Sequence, residues 1–171
     1  MARFQLFYDY ECPFCKRGYE TLLELLPAYP GVEIEWIPVE SHPRPEHHPP
    51  HTDLCVQSYY IARELNADMP AFHAALFQAV AAERRNVEDA DVLTAIVSGV
   101  VDAAAFRRIL ASGTYAAQVN ANNDLAYEEQ GVWFVPAFRA GDKKLDAKGG
   151  AGVSREEVKA FLESVVSTAR P

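Results

Sequence analysis

Two cysteines three residues apart, Cys12-Pro13-Phe14-Cys15, stand between an aromatic and apolar run, Phe4-Gln5-Leu6-Phe7-Tyr8, and a segment from Arg17 to Leu26. The first run has strand composition, and Leu22, Leu23, Leu25 and Leu26 suit a helix. A strand that hands over to a helix at a C-x-x-C pair constrains the fold more than any other feature of the chain. The first turn of a helix leaves backbone N–H groups unpaired and carries the positive end of the dipole, so Cys12 placed there is biased toward the thiolate. Pro13 fits the first helical position, where its missing N–H is no loss. Cys15 returns to the same side of the turn, near enough to close a small disulfide with Cys12, and such a pair can store two electrons. The C-x-x-C could also be half of a zinc site, but the flanking strand and helix favour redox chemistry. A purely structural bridge is disfavoured because so small a loop restrains the unfolded chain little, and 171 residues can bury a core without staples.

A formal net charge of −8 and the lack of any basic run exclude nucleic acid and anionic membrane surfaces as partners. No apolar stretch approaches the length of a membrane span. Met1 leads almost directly into the first strand with no recognisable leader, so a cytoplasmic protein is expected. Three cysteines with one close pair also suit a reducing compartment.

Val32 to Val39 alternates as a second strand, completing a strand–helix–strand unit that crosses over right-handed and pairs its strands in parallel. From Ser41 to Thr52 prolines crowd together with His42, His47, His48 and His51, and the expected reading is a solvated connector. A metal site that adds Cys55 is the weaker alternative, since the spacing matches no zinc template and the prolines should hold the histidines apart. No metal ligand is therefore assigned.

Residues from about Asp53 to Gln130 read as five helices, with starts near Thr52 or Asp53, Pro70, Asp89 or Asp91, Asp102 and Tyr115, and stops near Asn66, Gly99, Gly113 and Gly131. Their apolar stripes require a shared partner, so they should pack on one another and on the sheet. His73 falls off its stripe and reads as surface, whereas Cys55, one position off its own, reads as a buried inert thiol. Val132 to Arg139 returns to strand character, with Pro136 marking an edge, a bulge or a cis bond. Lys143 to Ala147 is its antiparallel partner after a turn at Gly141-Asp142. Ser154 with Glu157 caps a last helix that buries Val158, Phe161, Leu162 and Val165.

The layout is thus α/β: β, α, β, a helical insertion, β, β, α, with C-x-x-C after the first strand and Val135-Pro136 at the third. It resembles the thioredoxin superfamily and, within it, the DsbA-like branch. The run from Asp91-Val92-Leu93 through Phe106-Arg107-Arg108-Ile109-Leu110-Ala111-Ser112-Gly113 to Gly131-Val132 is similar to the FrnE-like cytoplasmic members of that branch. The resemblance implies a thioredoxin-like domain made of residues 1–52 and 131–171, interrupted by a helical domain at 53–130. It implies thiol–disulfide exchange, with Cys12 as the exposed nucleophile, Cys15 as the buried resolving cysteine and Pro136 as a cis-proline facing them. Val135 would present backbone to an extended substrate. Protein or peptide disulfides are the implied partners, with glutathione a candidate electron partner and no bound cofactor beyond the redox-active pair.

The chain departs from the strongly oxidising members, which carry Pro-His between the cysteines where this chain has Pro13-Phe14. Without that imidazole the thiolate is less stabilised and the couple more reducing. Asp9 and Glu11 push the same way if their charges are near, although solvated carboxylates are the default, and one could instead act through water as a base for Cys15. Tyr8, Tyr10, Phe14 and Trp133 could line an apolar groove around the sulfurs, though core positions are the commoner fate of such aromatics. Two rivals stay open. Glutathione-binding transferases of the kappa class and hydroxychromene-carboxylate isomerases share the layout but carry Ser, as a rule, where Cys12 stands. A metal-binding or chaperone-like module could use Cys12, Cys15, Cys55 and the histidine loop.

Overall fold

The computed structural model describes residues 2–168. Strand β1 (Ala2–Tyr8) lies inside a four-stranded sheet with β2 (Val32–Pro38), β3 (Ala137–Ala140) and β4 (Lys143–Asp146), in the order β2-β1-β3-β4. Its residues alternate as a strand must: Phe4, Leu6 and Tyr8 face the main core, and Phe7 faces a second, smaller cluster on the opposite side. Helix α1 (Pro13–Leu25) then crosses to β2 (Val32–Pro38), which pairs with β1 in parallel from Ala2↔Val32 to Tyr8↔Pro38. Leu22, wholly buried on α1, gains about 2 kcal/mol by leaving water, and Tyr19 and Leu25 bury the same face.

Five helices follow before the chain returns to the sheet: α2 (Asp53–Glu64), α3 (Met69–Phe77), α4 (Ala90–Val97), α5 (Ala103–Ser112) and α6 (Ala116–Asp124). Asp68, Asp89 and Asp102 cap α3, α4 and α5 through their carboxylates, and Gly113 ends α5 at φ 69°, a left-handed conformation that glycine adopts without penalty. Phe72, Leu76, Phe77, Leu93, Val97 and Phe106 are buried in the same cluster as the sheet residues Phe4, Leu6 and Phe138, so the helices share one core with the sheet. Helices α3 and α6 each run on into a π-helical turn, Gln78–Ala82 and Leu125–Glu129, a feature the apolar spacing did not signal.

The third strand is shorter than its composition predicts. It begins at Ala137, after the proline, and β3 (Ala137–Ala140) pairs antiparallel with β1 and with β4 (Lys143–Asp146). Pro136 has no N–H to give a ladder, so Val132 to Val135 approach the sheet as irregular chain instead. The final helix α7 (Arg155–Thr168) carries the full capping box: the Glu157 N–H donates to Ser154 Oγ at 3.1 Å, and the Ser154 N–H donates to Glu157 Oε2 at 2.8 Å. Phe161 of α7 packs edge-on against Phe4 of β1. Among the described residues, no helix is long and apolar enough to cross a membrane; Met1, the start of the reading that found no leader, lies outside them.

Candidate active site

Helix α1 starts where β1 ends, and Cys12 is its N-cap. The Cys12 sulfur accepts a hydrogen bond from the Cys15 N–H at 3.3 Å, one of the donors that a first turn leaves free. Pro13 occupies the first helical position. Cys12 is partly exposed, Cys15 is buried, and both are free thiols. The side-chain hydrogen bond from Cys15 pulls the Cys12 thiol below its usual pKa, aided by the backbone N–H groups of Cys15 and Phe14. Burial, followed by the hydrogen bond to Cys12, pushes the Cys15 thiol well up. The two sulfurs are thus differentiated: one is partly exposed with a lowered pKa, and the other is buried with a raised one.

The irregular segment before β3 brings Val135 to this pair. Its carbonyl lies 3.7 Å from Cys12 Sγ, and the Val135–Pro136 peptide is cis. Pro136 in turn packs on α1 at Gly18, where an added Cβ would come within 3.1 Å of the proline ring. A larger residue at position 18 would therefore separate the proline loop from the cysteine helix.

Cys12 opens into a cleft of about 380 Å³ whose walls include Phe14, Trp133, Phe134 and Val135 together with Ser41, His42, His48 and Arg84. Trp133 is 82% exposed and Phe134 47%, so the cleft has a solvated aromatic rim. Of the four aromatics considered from the sequence, Phe14 and Trp133 line this cleft, while Tyr8 and Tyr10 are buried in the core. Phe134, Tyr127 and Arg84 were not anticipated. The Trp133-Phe134 pair just before the proline was a readable signal, but nothing in the local sequence singles out Arg84.

Both carboxylates beside the motif are buried, not solvated. The C-terminal end of β1 directs Asp9 inward, where its Oδ2 accepts the Ser41 N–H at 2.7 Å and its Oδ1 the Glu11 N–H at 3.2 Å. Burial raises its pKa to about 6, against the lowering effect of the hydrogen bond from Ser41. Glu11 faces the histidine loop, and its Oε2 lies 3.3 Å from Arg84 Nη1. The loop itself is folded onto the site: the rings of His42 and His48 stack at 3.8 Å, and His51 is buried with Nδ1 3.1 Å from Glu88. The prolines bend the segment back on itself instead of spacing its histidines apart. Of the four, His47 is the exposed one, with His42 and His48 half-buried. Cys55 is buried in α2, and burial raises its thiol pKa well up. His73 is the clearest reversal: it is 2% exposed, because it stands three and four residues before Leu76 and Phe77 and shares their buried face of α3, while Pro70 and Ala74 take the exposed side.

Comparison with known proteins agrees with this geometry. The uncharacterized protein YwbO of Bacillus subtilis (strain 168) is 27% identical over 190 residues, covering 90% of this chain and 94% of YwbO. A probable DsbA oxidoreductase from Streptomyces coelicolor superposes with a TM-score of 0.81 at 19% identity, covering 100% of this chain and 92% of the other. The cytosolic disulfide reductase DsbM from Pseudomonas aeruginosa gives a TM-score of 0.70 at 16% identity, covering 98% and 100%. These structural likenesses establish the fold as thioredoxin-like. The model of the DSBA-like thioredoxin domain matches residues 4–158, which span the cysteine pair, all the intervening helices and the proline loop. With a match of that extent, the chain belongs to the DSBA-like thioredoxin domain family.

Proposed function

We propose that this protein is a thiol–disulfide oxidoreductase in which Cys12 is the nucleophile and Cys15 the resolving thiol. The observation that carries the reading is the contrast between the two sulfurs at the start of α1, one lowered in pKa at the mouth of a cleft and the other buried and raised. In the reducing direction, the Cys12 thiolate attacks one sulfur of a substrate disulfide. A Cys12–substrate disulfide forms, and the other substrate sulfur leaves as a thiolate. Cys15 then gives up its proton and attacks Cys12 Sγ. The mixed disulfide breaks, the second substrate thiolate is released, and the protein is left with a Cys12–Cys15 disulfide. The substrate has gained two electrons and the protein has lost two; the reverse sequence oxidises a dithiol.

Asp9, buried, with a pKa near 6 and near enough to influence the Cys15 thiol, is the group we assign to accept the Cys15 proton through an intervening water. Val135 supplies backbone beside Cys12, and the rim of Phe14, Trp133 and Phe134 suits an extended peptide with apolar side chains. Phe14 offers no side-chain donor to the thiolate, so the couple should be more reducing than that of a strong oxidant. This fits a FrnE-like role in a cytoplasm buffered by glutathione.

Equilibration of the protein in glutathione buffers tests the proposal. A single two-electron transition is expected at about −180 to −270 mV, converting Cys12 and Cys15 to a disulfide while Cys55 stays alkylatable only after unfolding. If no intramolecular disulfide forms across that range, the reading fails.

A further inference from the structure

We propose that Glu11, His42 and His48 form a binding site for a divalent transition-metal ion, held by three side chains with a coordination position open to the cleft beside Cys12. One ligand atom from each of the three lies within 4.8 Å of the others. His42 Nε2 is 3.6 Å from Glu11 Oε1, and His48 Nε2 is 3.4 Å from Glu11 Oε2. Those separations are long for N–H···O hydrogen bonds, which run about 2.7–3.2 Å. The His42 Nε2–Glu11 Oε1 separation is close to the edge of a coordination tetrahedron, roughly 3.3–3.5 Å for donors about 2.0–2.2 Å from a zinc ion, and the His48 donor lies within 4.8 Å of both.

The surroundings favour a cation in the same way. His42 Nδ1 lies 2.7 Å from Glu46 Oε1, the carboxylate–histidine pairing that fixes the ring and leaves Nε2 free to ligate. The stacked rings of His42 and His48, 3.8 Å apart, bring two Nε2 atoms to a single buried carboxylate. Two neutral imidazoles and one carboxylate suit zinc and its neighbours in the first transition row, not the all-oxygen preference of calcium or magnesium. Arg84 also touches Oε2 and is tied to the Pro49 carbonyl at 3.2 Å, so Oε1 is the oxygen left for the metal on the His42 side. Its positive charge weakens the site relative to an all-anionic cage. Glu11, His42, His48 and Cys12 all line the same cleft, so a fourth ligand would approach from the space where substrates meet the thiol.

The site needs neither sulfur, and its test is independent of the exchange reading. Untagged full-length protein carrying Cys12→Ser and Cys15→Ser, which removes thiolate ligation by that pair, is titrated with ZnCl2 by calorimetry. One zinc per chain is expected. His48→Ala, at a half-exposed position where folding should be unaffected, is expected to weaken binding by at least about 100-fold. Glu46→Gln, which keeps all three ligands, should weaken it by about 10-fold or more. Zinc should also raise the thermal midpoint of the parent but not that of His48→Ala. Absence of stoichiometric zinc binding, or binding that His48→Ala and His42→Ala both leave unchanged, would overturn the proposal.

Discussion

Cys12→Ser is expected to reduce dithiothreitol-coupled insulin reduction to the rate of dithiothreitol alone. A serine hydroxyl cannot form the mixed disulfide on which both half-reactions depend, so the loss should be complete and not graded. The structure adds a selectivity that the C-x-x-C spacing does not contain. Cys12 is the accessible thiol with a lowered pKa, while Cys15 and Cys55 are buried with raised ones. Iodoacetamide near neutral pH should therefore modify Cys12 first, and that single modification should abolish the same activity. Cys55→Ala, deep in α2, should cost some packing but leave exchange in place.

The second large effect concerns stability and a buried residue that does not line the cleft. His73 is enclosed by aromatic rings, with Trp36 at 4.8 Å and Tyr19 at 5.4 Å between centroids, and its Nδ1 lies 2.9 Å from the Tyr10 hydroxyl. Its Nε2 is buried without a partner among the described residues. Burial lowers its pKa to about 3. Below pH 6.5 the unfolded chain therefore takes up a proton that the native protein refuses until about pH 3, so stability is lost as pH falls through that window. At pH 4 the loss from this one group is about 3 kcal/mol.

Asp9 works in the opposite sense. Its folded pKa, raised to about 6, lets the native state bind a proton first and so adds stability as pH falls below 6. Glu40, His51, Glu88 and Glu157 are shifted as well, so the overall acid profile sums several groups, and comparison of variants isolates His73. His73→Phe keeps an aromatic ring in place and removes the titration. In urea denaturation, wild type should lose about 3 kcal/mol relative to His73→Phe between pH 7 and pH 4. Identical pH dependence of the two would show that His73 is protonated freely in the native state.

These two residues mark the boundary of what the sequence discloses. The position of Cys12 and Cys15 was legible because it is local: a strand, a proline at the first helical position and a helix follow one another within a few residues. The helix caps at Asp68, Asp89, Asp102 and Ser154 obey the same short-range rules, and the capping box of α7 forms as its spacing implies. The burial of Asp9, Glu11 and His73 depends instead on segments distant in the chain. Ser41 covers Asp9 from 32 residues away, Arg84 reaches Glu11 from 73, and Tyr10 meets His73 from 63. The fold-back of residues 41–52 was illegible for a related reason. Proline content announces that the loop is neither strand nor helix, but not which surface it lies on. The late start of β3 was foreseeable in part, since Pro136 could not ladder, yet the composition of Val132 to Phe134 argues for strand, whereas Val132 is buried and Trp133 and Phe134 stand on the cleft rim.

The most direct test of the central claim is to trap the intermediate. Cys15→Ser, incubated with a peptide disulfide and examined by non-reducing electrophoresis and peptide mass spectrometry, is expected to accumulate a stable adduct whose mass adds one peptide thiol at Cys12, and the adduct should be absent in Cys12→Ser. An adduct-free Cys15→Ser, or peptide attached at Cys55 instead, would contradict the account.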